Sequence, residues 1–167
     1  MTRHDAPRNG AQRLAEMAMA LALAVMALAV FVNVVLRYGF GSGIAASEEL
    51  SRLLFVWMVF IGATAAYPLG EHMAFTSLLR PLQAKPVALK VLTRVIHALV
   101  VATCVLVGWG AWQQVVVGLD SKSVVLGYPS ALLPLPALLC SVAIGVMALV
   151  DLLRGKPINF GHEVDVE

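Results

Sequence analysis

Charge is scarce in this chain. Lys, Arg, Asp and Glu make up 13% of its 167 residues, against about 25% in soluble domains. The net charge of +2 is too small to point to nucleic acid. Cysteine is nearly absent. Cys104 and Cys140 are the two present, both fall inside apolar runs, and they read as small packing residues. No Cys/His cluster has zinc-ligand spacing. Internal repeats and low-complexity tracts are missing, apart from an alanine-rich first apolar run.

What the chain has is length without charge. Met17–Leu36, Leu53–Gly70, Val95–Leu119 and Ser123–Val150 each run without a Lys, Arg, Asp or Glu. A helix needs about 20 mostly apolar residues to cross a hydrocarbon core of roughly 30 Å. The expectation is an all-α membrane protein, a single domain over 1–167, with four transmembrane helices at about 14–37, 51–70, 92–119 and 131–153. Short amphipathic helices are expected to connect them. The first run is longer than the 7–15 apolar residues typical of a signal peptide, which predicts a retained span.

The loops set an orientation. Arg3, Arg8, Arg13, Arg80, Lys85, Lys90, Arg94, Arg154 and Lys156 fall on one side, and Arg37, Arg52 and Lys122 on the other. The positive-inside rule then predicts both termini in the cytoplasm. Aromatic residues gather near span ends, among them Tyr38, Phe40, Trp57, Tyr67, Trp109 and Trp112.

Two connecting segments carry a pattern of their own. Gly39, Gly41 and Gly43 predict a break after the first span. AASEELSR over Ala45–Arg52 then reads as a short helix flowing into the second span, with Ser47 as the expected cap and Glu48 and Glu49 in the first turn. Met73–Arg94 interleaves Phe75, Leu78, Leu79 and Leu82 with polar and basic residues. It reads as an amphipathic surface segment interrupted by Pro81 and Pro86, or as an ordinary polar connector.

Candidate chemistry is thin. A self-sufficient transporter keeps ionisable or strongly polar groups near the midplane of its spans. Here the span interiors offer Thr64, Thr103 and Ser141, whose hydroxyls can bond their own helix backbone, while Asn33 lies near the outer end of the first. His97 lies about one turn inside the third span, as a haem ligand or an interfacial polar residue. His72, His162 and His4 lie outside the runs. Small residues at four-residue spacing, Ala18/Ala22, Ala20/Ala24 and Gly62/Ala66, suit close helix packing, within the bundle or with another chain. Arg37, Glu48, Glu49 and Arg52 gather at the outer surface. Glu48 and Arg52 are placed to pair along a helix, or to stand as solvated flanking charge. A charge network among these four is one expectation.

The stretch NVVLRYGFGSGIAASEELSRLLFVWMVFIGATAAYPLGEH resembles the small membrane subunit, the Q subunit, of tripartite ATP-independent periplasmic (TRAP) transporters. That family shows an Asn and then Arg-Tyr closing the first span, an acidic pair before Leu-x-Arg, an aromatic-rich second span and Gly-x-His at its inner end. The matching positions are Asn33, Arg37, Tyr38, Glu48, Glu49, Leu50, Arg52, Trp57, Gly70 and His72. The later half is looser: the prolines Pro129, Pro134 and Pro136 lack the family's intervening aromatic residue.

The resemblance implies a role in the bacterial inner membrane. It implies a small subunit that scaffolds a large transport subunit and serves a periplasmic substrate-binding protein, with the lipid bilayer around it and no nucleic acid involved. It implies organic-acid uptake driven by an ion gradient, no enzymatic activity and no cofactor on this chain, the coupling ion (sodium) belonging to the large subunit. The nine positions Asn33, Arg37, Tyr38, Glu48, Glu49, Arg52, Trp57, Gly70 and His72 become candidate structural or partner-interface residues. Two other classes remain open on the residues alone. One is a haem-binding anchor subunit of a respiratory enzyme, using histidines such as His72 and His97. The other is a small four-span drug exporter, which needs an acidic residue inside a span, whereas Glu16 sits at the edge of the first.

Overall fold

The structure is a computed structural model that describes residues 10–69 and 86–154. Four long helices, each apolar and long enough to cross a membrane, make up most of it. They are α1 (Gly10–Phe40), α2 (Ala45–Ala66), α3 (Pro86–Gly118) and α4 (Leu135–Arg154). Even α2, with 22 residues, measures about 33 Å at 1.5 Å per residue. A 3-10 turn, Tyr67–Leu69, follows α2, and another, Ser130–Leu132, precedes α4. Among the described residues there is no strand, only an isolated bridge between Lys122 and Pro129.

The chain breaks after α1 later than the first glycine. Gly39 stays helical, and the reversal comes at Gly41, whose φ of 75° suits only a residue without Cβ. Ala45–Arg52 is the start of α2 itself, continuous with the span. Ser47 does not cap it. Ile44 holds the N-cap position and offers no side-chain bond to the helix. Ser47 Oγ instead donates to Ala29 O of α1 at 2.8 Å. The hydroxyl goes to a neighbouring helix because its residue is already inside the first turn.

Pro86 also departs from the expectation of an interrupted segment. It is the first residue of α3, where its missing N–H would have had no intrahelical partner and its fixed φ suits a helix start. Pro136 sits likewise in the first turn of α4 and is buried there. Most of the expected amphipathic segment, with Gly70 and His72, lies outside the described residues, as do His4 and His162.

The helices pair as α1 with α2 and α3 with α4, and α2 joins the pairs by packing on α4. Apart from Glu49, the buried positions hold small or compact residues, among them Ala111, Ala131, Cys140, Ser141 and Ala148. The α3–α4 seam closes because little stands between the backbones. A Cβ on Gly108 would come 3.0 Å from Ser141 Oγ, and one on Gly145 would come 3.2 Å from Cys104 Cβ. Small seams of this kind suit a bilayer, where lipid is as apolar as leucine and close van der Waals packing takes over the work of hydrophobic burial. Large apolar residues accordingly face outward, including Leu21, Leu28 and Phe31 on α1 and Val105, Leu106 and Trp109 on α3.

Candidate functional site at the hairpin end

The end of the bundle carrying the α1–α2 turn and the α3–α4 connection holds most of the candidate residues. It is called the hairpin end below. Its polar bonds begin with Asn33. The side-chain Oδ1 of Asn33 accepts from Ile44 N at 2.6 Å, so the last turns of α1 supply a partner for the amide that opens α2. Gly43 makes room for that side chain, since a Cβ there would come 3.0 Å from Asn33 Oδ1. The free amides of a helix start are thus met partly from the preceding helix.

Glu49 lies one turn into α2 and is buried, at 9% exposure. Its carboxylate reaches across to the α3–α4 connection. Oε2 accepts from Leu126 N at 2.8 Å and from Val125 N at 3.2 Å. A carboxylate accepting two consecutive amides makes a charge-assisted fork, stronger than neutral pairs. The connection is shaped to present those amides. Ser123 N donates to Tyr128 O at 2.8 Å and Ser130 N to Ser121 O at 2.9 Å. Gly127, with φ at 70°, turns the chain between them. The Ser123 hydroxyl bears on the same carboxylate without reaching hydrogen-bond geometry. Its Oγ and Tyr128 Oη are buried without a partner.

Two turns deeper on α2, Trp57 Nε1 donates to Leu132 O at 3.1 Å. That carbonyl belongs to the 3-10 turn before α4, inside the stretch long enough to span. Irregular backbone at membrane depth persists only where its polar groups find partners, and Trp57 supplies one. Gly118 supplies the space. A Cβ there would come 2.5 Å from Ala131 N and 2.8 Å from its Cα.

The four outer charges do not close into ion pairs with one another. Arg37, Glu48 and Arg52 are exposed, and none of the three makes a hydrogen bond or salt bridge among the described residues. Arg52 acts on Glu49 only through space. Tyr38 is also exposed. The structure therefore brings together Asn33 with the α1–α2 turn, and Glu49 and Trp57 with the α3–α4 connection. The partners of Glu49 and Trp57 are backbone groups on a segment the residue pattern had not singled out. Gly127 followed by Tyr-Pro, after an apolar triplet, is the turn signal that marks it.

Elsewhere in the spans, four polar side chains bond their own helices. Thr64 Oγ1 donates to Phe60 O, Thr103 Oγ1 to Leu99 O and Ser141 Oγ to Leu138 O, each at 2.8 Å. His97 Nδ1 lies 2.8 Å from Thr93 O, one turn back.

This geometry falls inside a known family. Residues 26–156 match the model of the DctQ component of tripartite ATP-independent periplasmic transporters. The chain belongs to that family. A Haemophilus influenzae protein described as a TRAP transporter small permease is 33% identical over 134 residues, covering 80% of this chain and 82% of the relative. A second small permease of the same organism is 29% identical over 124 residues, 74% of each. The DctQ match contains both hairpin-end connections, the second half of α1 and the whole of the other three helices. The chain is therefore a multi-pass membrane component of a TRAP transporter, not an enzyme.

Proposed function

We propose that this DctQ-family chain is the small scaffold subunit of a bacterial inner-membrane uptake system for organic acids. In this reading an ion gradient drives transport, and the coupling ion, sodium, binds in the large subunit. A periplasmic binding protein delivers the substrate. Both termini lie in the cytoplasm, in keeping with nine Lys and Arg on that side against three on the other. The hairpin end then faces the periplasm.

One observation carries the scaffold reading. The hydroxyls of Thr64, Thr103 and Ser141 are spent on their own helix carbonyls, and ionisable side chains lie toward the span ends. Ion and substrate sites in secondary transporters are built from side chains and unwound backbone converging near the midplane. The outward apolar faces of α1 and α3 suit lipid or a larger membrane partner.

The test is reconstitution. Purified chain in liposomes with an inward sodium gradient is expected to accumulate no organic acid. Uptake is expected once the large subunit and loaded binding protein are added. Accumulation by this chain alone would overturn the scaffold reading.

A further inference from the structure

A single stripe of α2 holds the α3–α4 connection. Glu49 and Trp57, two turns apart, project toward one side of that helix. Glu49 takes the amides of Val125 and Leu126, and Trp57 takes the carbonyl of Leu132. Within itself the outer part of the connection has little to keep it closed. Two backbone bonds, Ser123 N to Tyr128 O and Ser130 N to Ser121 O, cross it, and an isolated two-stranded turn is marginal in water. It also hides Tyr128 Oη with no partner, while Ser123 Oγ has only the nearby Glu49 carboxylate to interact with. A buried hydroxyl without a partner favours any motion that returns it to water. Val124 at the tip is 98% exposed, so no apolar anchor at that residue resists such motion.

We propose that residues 119–129 form a flap hinged at the end of α3 and at the Trp57-bound turn, and that the Glu49 carboxylate is the latch that closes it. With the latch in place, two amides are satisfied, the Ser123 hydroxyl has the carboxylate beside it, and the cost of the hidden Tyr128 hydroxyl is carried. With the carboxylate neutralised or removed, the amides of Val125 and Leu126 and both hydroxyls gain by hydration. The flap then lifts from α2 while the four helices stay packed. Trp57 and the small contact at Gly118 hold the inner part in either state.

The surrounding charges do not substitute for the latch. Arg52 faces Glu49 through space from the same helix. Glu48 beside it, Arg37 at the end of α1, and Asp120 and Lys122 on the flap are all exposed. Glu49 is thus a positioning residue for the hairpin-end surface, a role distinct from the ion pairing that its sequence neighbours suggest.

Amide hydrogen exchange on the full chain in lipid nanodiscs tests this, comparing wild type with Glu49→Ala, Glu49→Gln and the neighbouring control Glu48→Gln. Losing a charge-assisted bond is expected to speed exchange at Ser123, Val125, Leu126 and Ser130 by roughly tenfold or more in Glu49→Ala. Glu49→Gln should fall between, because the carboxamide oxygen still accepts but without charge. Glu48→Gln should match wild type, and the interior amides of α3 and α4 should not change in any variant. Unchanged exchange on the flap in Glu49→Ala, or equal acceleration throughout α3 and α4, would overturn the latch. Should Glu49→Ala fail to fold, Glu49→Gln decides, and wild-type exchange in that variant overturns the proposal.

Discussion

The two helix pairs of this bundle are held by different means. In α3–α4 the backbones approach closely across Gly108, Cys104, Ser141 and Gly145, and α4 buries Pro136, Cys140, Ser141 and Ala148. In α1–α2 no residue of α1 is buried. That pair is joined near the hairpin end by Asn33 to Ile44 N and Ser47 to Ala29 O, with Met19 against Gly62 further along. One pair depends on shape along its length and the other on a few polar bonds near one end. In water the second would be the weaker design, since it leaves a helix of large apolar residues uncovered. In a bilayer those residues meet lipid at no cost. Exposure therefore says little about stability here, and the closeness of backbones says much.

The sharpest way to break the comparison is to fill the tightest point of the α3–α4 side. Alanine is the best helix former and glycine costs about 1 kcal/mol relative to it within a helix. On propensity alone, Gly118→Ala and Gly110→Ala should both be neutral or favourable. Gly110 has nothing within 4 Å of an added Cβ, whereas Gly118 faces Ala131 N at 2.5 Å. Backbone cannot yield as a side-chain tip can. Gly118→Ala is expected to destabilise the bundle by about 3 kcal/mol, the upper end for overpacking, and Gly110→Ala to be harmless. Unfolding by SDS titration from mixed micelles measures both. Equal behaviour of the two variants would show that the seam has slack.

How much of this was legible in the residues follows from the range of the interactions. The four spans were legible because a bilayer selects on composition over about 20 residues. Thr64, Thr103 and Ser141 were legible because their partners lie on their own helices. The Ser47 cap was misplaced because α2 starts earlier, at Ala45, and the hydroxyl found Ala29 in the adjacent helix. Pro86 read as an interruption because a proline that begins a helix and one that breaks it look alike until the helix is located. Glu49 read as one charge among four because Arg37, Glu48 and Arg52 gather with it at the same span ends, while backbone amides 76 and 77 positions along leave no mark on residue type. Gly118 was silent for the same reason, its constraint being the backbone of Ala131.

The next effect in size is Trp57→Phe. The ring is largely kept and the N–H is lost, so Leu132 O loses a donor at a depth where water is scarce. A buried carbonyl left without its partner costs about 1–3 kcal/mol, and the lower half of that range is expected because Leu132 is itself only half-buried. The same detergent titration reads it. Wild-type stability would mean that water or lipid headgroups already reach the turn before α4.

On the α1–α2 side, Ser47→Ala removes a bond between helices and leaves Ala29 O with its ordinary helical partner. Interhelical side-chain bonds in membranes average about 0.6 kcal/mol, so a loss of about that size is expected. A loss as large as that of Gly118→Ala would reverse the comparison, making the polar bonds the stronger fastening.

The smallest effect is predicted for Thr103→Val, and it sharpens the comparison by standing outside both kinds of fastening. Thr103 lies on α3, the helix with the tight seam, yet it faces outward and is exposed. Its hydroxyl donates to Leu99 O, a carbonyl one turn back on the same helix. Valine is close in shape, keeps the β-branch and removes only that local bond. The carbonyl keeps its helical role, and the added methyl meets lipid without penalty. The expected change is within about 0.5 kcal/mol, as for substitutions away from packed or polar features. In the assembled transporter the same variant should keep wild-type uptake if this face meets lipid. A stable chain with reduced uptake would place the Thr103 face against another subunit, which detergent titration of the lone chain does not reveal.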